Sequence, residues 1–140
     1  MKISRRRARI AAFGAVFAVL SESGKSAAVM VQKRREAEAD KAEAAVLNDD
    51  LTIGIAASFD GRRGEIEDLL ADAVRRPPEL ISTAERAIIC AAAAELLAYP
   101  ATAHKIIINE AIDIAKQYGS ESGYKLVNAA LDNICRTIRN

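Results

Sequence analysis

Large apolar residues recur along most of the chain at spacings of three and four, the period of a helix with one buried face. Ile10, Phe13, Val16, Phe17 and Leu20 make the first such stripe. Ser4 stands before it as an N-cap and Gly24 after it as a stop, which predicts a helix ending near residue 22. Residues 26–47 are rich in Ala, Glu, Lys and Arg and read as one helix; residues 32–43 carry almost no large apolar side chain, so its centre is expected to be exposed or lightly packed. Asn48 is placed to cap a helix containing Leu51, Ile53 and Ile55, which the turn Asp60-Gly61-Arg62-Arg63-Gly64 breaks. Residues 65–76 resume the helical period with Ile66, Leu69, Leu70 and Val74, and Pro77 and Pro78 stop it.

Ser82-Thr83-Ala84-Glu85 fits a capping box and opens a helix that is apolar on nearly every side, the expected centre of the fold. Residues 105–118 follow, with Ile108, Ala111, Ile112, Ala115 and Tyr118 as the expected buried stripe and Gly119 as the stop. A last helix begins near Ser122 and places Val127, Ala130, Leu131 and Ile134 on one face. No internal repeat or long linker interrupts the series. The expectation is a single all-α domain over residues 1–140, a compact bundle of six or seven helices.

Composition supports helices over strands. Ala supplies 29 of the 140 residues, while Phe and Tyr supply three each and Trp none. Such a chain packs its helices closely through small side chains. The net charge of +1 hides an asymmetry: residues 1–20 carry five cations and no acid, and the remaining 15 basic and 19 acidic residues give −4. Lys2, Arg5, Arg6 and Arg9 project onto roughly the same side as the first apolar stripe. Cations are costly to bury, so residues 1–9 are expected to overhang the core as a basic arm that attracts a polyanion. Removing the four arginines is then expected to leave the fold intact.

Little in the chain points to catalysis. His104 stands alone, next to Lys105 at a helix start. Cys90 and Cys135 are far apart, lie in no metal-binding spacing, and read as reduced buried thiols. No glycine-rich nucleotide fingerprint occurs. Glu110 and Asp113 sit one helical turn apart but lack a third ligand, so neither a metal nor a cofactor is expected. The chain reads as a binding protein and not an enzyme. The N-terminus has one rival reading, since arginines followed by Ile10 to Leu20 also look like the charged and apolar regions of a secretory signal; no clean cleavage pattern follows, and eleven apolar residues are too few to span a bilayer.

The run K-I-I-I-N-E-A-I-D-I-A-K-Q-Y-G at residues 105–119, followed by S-E-S-G-Y-K-L-V-N-A-A-L-D, resembles the NusB family of bacterial transcription antitermination factors. Two weaker matches fall in the right order: Arg5-Arg6-Arg7-Ala8-Arg9 resembles the family's N-terminal arginine motif, and residues 85–97 resemble its central helix. The resemblance implies two small helical sub-bundles packed across each other. It also implies binding of boxA-type single-stranded RNA together with the ribosomal protein NusE, within the transcription elongation complex, to promote read-through in ribosomal RNA operons. A cytoplasmic protein with no membrane partner and no cofactor follows from the same likeness, and the family also includes homodimers that hide the RNA surface.

Carried onto this chain, the resemblance makes Arg5, Arg6, Arg7 and Arg9 phosphate contacts. It puts Phe17, Ser122 and Lys125 at the RNA and Glu85 near the NusE surface. Phe17 also falls on the core stripe, and Glu85 also completes a cap. The chain departs from the family pattern at Leu126, where Phe is usual, at Ala129 for Gly, at Cys90 for a basic residue and at Ala103 for Pro. Residues 27–72 match it poorly, and the turn at 60–64 looks like an insertion. Two other readings share these features: a diverged helical protein-interaction module, and an RNA-binding fragment of a ribosomal RNA cytosine methyltransferase.

Overall fold

The computed structural model describes residues 2–22 and 25–139. Gly24, the expected stop of the first helix, lies outside them. Among the described residues the chain forms α1 (Arg5–Ser21), α2 (Ala27–Ala37), α3 (Lys41–Leu47), α4 (Asp50–Gly61), α5 (Arg63–Ala73), a 3-10 turn at Pro78–Leu80, α6 (Thr83–Ala98), α7 (His104–Tyr118) and α8 (Gly123–Arg139). The described residues are all-α, with eight α-helices against the six or seven expected.

The extra helix comes from residues 26–47, which form two helices and not one. Asp40 breaks the stretch by accepting a 2.9 Å bond from the Ala42 amide, and α3 starts there. The next cap is Asp49, not Asn48: its carboxylate receives the Leu51 amide at 3.0 Å, while Asn48 closes α3. Asp60 sits at the end of α4 but serves α2, taking the Ala27 and Ala28 amides at 2.7 and 2.9 Å. It thus joins Ser26 in satisfying the open donors of that helix start and locks α2 to α4.

α6 is the centre, as the sequence pattern predicts. It contacts α1, α4, α5, α7 and α8, and every residue from Ala87 to Leu96 is buried. Five of those ten are alanines, which lets neighbouring helices approach from all sides. α1 through α4 pack on one another, α7 and α5 pack on α8, and α6 joins the two groups. Cys90 and Cys135 are both free and buried. Burial pushes the Cys90 thiol up to about 12, so it is an inert core side chain at neutral pH.

Residues 5–9 are not an arm. They are the opening turns of α1, started by Ser4, whose hydroxyl accepts the Arg7 amide at 3.1 Å. Two expected core positions also differ. The α7 stripe is Ile107, Ile108, Ala111, Ile114 and Ala115, with Ile112 only half-buried and Tyr118 exposed. On α1, Phe13 and Val16 are buried, but Phe17 reaches the surface.

Candidate nucleic-acid interface

The four motif arginines fan out from the first turns of α1 and meet acidic partners. Arg5 approaches Asp49 at 3.7 Å and Arg7 bonds Glu43 at 3.3 Å. Arg6 is clamped by the α7 pair, with Nε on Glu110 and Nη2 on Asp113, each at 2.8 Å. The Glu110 hydrogen bond, reinforced by its charge and by Asp113, holds the Arg6 guanidinium above its ordinary value. Glu110 and Asp113 are therefore an arginine clamp, and among the described residues no group of three or more His, Cys, Asp or Glu could hold a metal.

Arg9 goes the other way. It is 9% exposed and lies against Glu95 of α6, which is 2% exposed. Its Nε and Nη2 donate to Glu95 Oε1 and Oε2 at 2.9 and 2.8 Å, a bidentate geometry, and Nη1 lies 3.6 Å from Glu110. The pair lines a small cavity of about 20 Å³ together with Phe13, Ile55, Ile88 and Ile107. An arginine so enclosed cannot meet a phosphate at the surface. Its place in the motif is structural, because Glu95 neutralises it in the interior.

Glu85 is likewise internal, 5% exposed at the start of α6. Its amide donates to Ser82 Oγ at 3.1 Å, and its carboxylate takes hydrogen bonds from the hydroxyls of Ser82 and of Ser120, the latter at 3.0 Å. The Ser82 half of the capping box forms, but the carboxylate meets the Ser82 hydroxyl and not its amide, and it serves as a clasp between α6 and the turn before α8. A Cβ on Gly123 would lie 2.5 Å from Glu85 Oε1, so a glycine there lets α8 start close to the clasp. A partner cannot reach this carboxylate directly.

The remaining expected contacts are accessible. Ser122 is exposed in the turn before α8, and its carbonyl accepts the Lys125 amide at 3.1 Å. Lys125 is exposed, with no ion pair among the described residues. Lys116 of α7 lies 5.0 Å from the centre of the ring of Tyr124, the residue before Lys125. Leu126, where the family carries Phe, is half-buried against the core.

Phe17 is 39% exposed and meets Phe13 edge-on, ring centres 6.2 Å apart. Tyr118, 45% exposed, leans on the same Phe13 at 5.5 Å. The two exposed rings share a shallow pocket floored by Gly14 and Ala84. On its other side Tyr118 lines a groove with Arg7, Ile10, Glu43 and Arg34. The structure thus brings together Phe17, Tyr118, Arg7 and Arg34: two aromatic faces beside two guanidinium groups. Stacked bases and backbone phosphates need those two kinds of group.

Sequence reasoning missed Tyr118 and Arg34. Tyr118 keeps the helical spacing of the core stripe, but its ring leans on Phe13 with nearly half of its surface open to solvent. Arg34 lies in a stretch expected only to be exposed; α2 returns it across α1 at Gly14, where a Cβ would lie 3.4 Å from its Nη1. Among the described residues no helix is long and apolar enough to cross a membrane.

The chain is similar to a known family along nearly its whole length. The model of the NusB family matches residues 6–136, running through the middle region that resembles the family least. A "Transcription antitermination protein NusB" of Burkholderia cenocepacia (strain HI2424) is 30% identical over 99% of this chain and 92% of its own length. A protein of the same name from Azoarcus sp. (strain BH72) is 32% identical over 99% of this chain and 87% of its own. Another, from Nitrosococcus oceani, is 36% identical over 56% of this chain and 53% of its own. Match length, all-α architecture and the order of motifs agree: the chain belongs to the NusB family.

Proposed function

We propose that this protein is an RNA-binding transcription antitermination factor. In this reading it acts without catalysis, binding boxA-type single-stranded RNA with the ribosomal protein NusE, and the complex helps RNA polymerase read through terminators, notably in ribosomal RNA operons. Its relatives' shared name supports the antitermination role. The observation that carries the RNA reading is the exposed Phe17–Tyr118 pair flanked by Arg7 and Arg34. Bases stack on the rings while phosphates meet the guanidinium groups. Ser122 and Lys125, exposed at the start of α8, are the further RNA contacts in this reading.

The acidic partners of Arg5, Arg6 and Arg7 do not prevent phosphate binding. These pairs are half exposed on the arginine side, and exposed pairs are worth only about 0–1 kcal/mol. A polyphosphate can therefore draw the side chains away at little cost. Arg9 is excluded from that role by its burial.

One observation favours a second reading, a helical interaction module with little RNA affinity: all four motif arginines already carry an internal counter-charge. Titration of boxA-type and scrambled RNA, with and without NusE, separates the two. The RNA-binding reading expects tighter binding of the boxA-type RNA, strengthened by NusE and weakened steeply by salt. Salt-independent binding, or none, would favour the interaction module.

A further inference from the structure

Beyond the aromatic patch, a second groove runs between α1 and α2, with a volume of about 460 Å³. Its floor is built from Ala11, Gly14, Ala15 and Ala18 of α1, so the helix backbone is approachable there. Its walls carry Lys25, Lys33 and Arg34. Three cations thus face a space bordered by a single carboxylate, Glu22, which lies 3.9 Å from Lys25.

The charge in this groove is only partly neutralised: Arg34 lies 3.6 Å from Glu43 and Lys25 3.9 Å from Glu22. Lys33 has no ion pair among the described residues; a hydrogen bond from Lys25 that only the uncharged Lys33 amine can accept, together with repulsion by the Lys25 charge, lowers its pKa. Two ammonium groups in such proximity favour an anion between them. Arg34 lines this groove and also the groove of Arg7 and Tyr118, so the two are continuous across α1.

We propose that the α1–α2 groove is a second phosphate track, in which Lys25, Lys33 and Arg34 hold the backbone of single-stranded RNA continuing from the aromatic patch. The proposal rests on the RNA-binding reading and extends it to a surface formed by residues 25–34, outside the arginine motif. A chain of phosphates is the occupant that the charge favours, because three cations and one carboxylate line the groove beside its apolar residues Met30, Val31 and Leu47. The contacts are to phosphate, so they add affinity without sequence preference. A basic groove at His104, Arg136 and Arg139 differs in this respect: Arg139 there donates to the carbonyls of Pro100 and Leu96 at 3.1 and 3.4 Å and so closes the end of α6.

The test compares the full chain with its Lys25→Ala/Lys33→Ala variant. Lys105→Ala/Arg136→Ala removes the same charge elsewhere and serves as the control. Each is titrated with a short oligouridine that covers only the aromatic patch and with one twice as long, across a range of salt. Each phosphate contact to single-stranded RNA adds about 0.7 to the slope of log K against log[salt], so losing two lowers it by about 1.4. That drop is expected for the long oligonucleotide in Lys25→Ala/Lys33→Ala, with the short one unchanged and the control near the parent. Lys33, Lys105 and Arg136 are exposed positions within helices and Lys25 is exposed just before α2, so melting curves should coincide and exclude unfolding. If the parent binds both lengths with equal slopes, or the variant matches the control, the second track is wrong while RNA binding stands. If the parent binds neither oligonucleotide, and boxA-type RNA with NusE also fails, the RNA-binding reading falls and takes this track with it.

Discussion

On the inner side of α1, Arg9 is enclosed between helices with its guanidinium on Glu95; on the outer side, Arg34 of α2 lies across Gly14 with 55% of its side chain in solvent. Both are arginines beside the same helix. The inner one is committed to a carboxylate it cannot leave without stranding a buried charge. The outer one shares Glu43 with Arg7 at 3.6 Å or less, an exposed contact that an incoming phosphate can replace. A basic motif therefore does not describe a binding surface by itself. What decides is where each cation's nearest counter-charge lies and whether water reaches it.

The largest expected effect is on the inner side. Arg9→Ala or Glu95→Ala should destabilise the fold by about 3–5 kcal/mol, because either change leaves its partner buried and unpaired. Replacing both by Met should recover most of that loss, since an apolar pair of similar volume removes both desolvation costs. Denaturant unfolding of the three variants checks this. If Arg9→Ala melts like the parent, the inner side is not held as described. The same result would restore Arg9 as a candidate phosphate contact.

A smaller loss is expected where α6 meets α8. Glu85→Ala removes the acceptor for Ser82 and Ser120 and should cost about 1–3 kcal/mol. Glu85→Gln keeps part of the clasp and should cost less. Should Glu85→Ala instead leave stability untouched and weaken NusE binding, this carboxylate would belong to the outer surface after all.

The smallest stability effect belongs to Arg5, Arg6 and Arg7. Changing all three to Ala should cost no more than about 1 kcal/mol for each exposed site, as is usual for surface pairs. The same triple variant should lower the salt slope of RNA binding by about 2 if all three reach phosphates. Cognate and scrambled RNA should be affected alike. A quadruple variant that includes Arg9 should be far less stable than the triple one, which reverses the expectation that the four arginines are dispensable to the fold.

The helices of the second half were legible because their signals are local. The Ser82 cap, the apolar run of α6 and the Val127–Ala130–Leu131–Ile134 face of α8 each lie within a few turns of sequence. The break between α2 and α3 also carried a local signal, since Asp40 followed by Glu43 has the spacing of a capping box, but the surrounding helix formers masked it. The pairing of Arg9 with Glu95 spans 86 positions and no periodicity reports it. Its trace in sequence is two misfits, a cation on the apolar face of α1 and a carboxylate inside the otherwise apolar run at residues 87–97 of α6. The exposed aromatic pair was half legible: Phe17 was placed at the RNA by family resemblance, whereas Tyr118 keeps a core spacing and its exposure has no local signal.

The central claim, that α1 presents RNA-binding chemistry on its outer side, is tested most directly by Phe17→Ala and Tyr118→Ala in a titration with boxA-type RNA. Stacking of a base on an aromatic ring contributes about 1–3 kcal/mol, so each change should weaken binding roughly 5- to 150-fold. Phe17→Tyr, which keeps a ring, should bind nearly as well as the parent. Binding that is unchanged in folded Phe17→Ala and Tyr118→Ala would contradict the account and move the RNA to another face of the bundle.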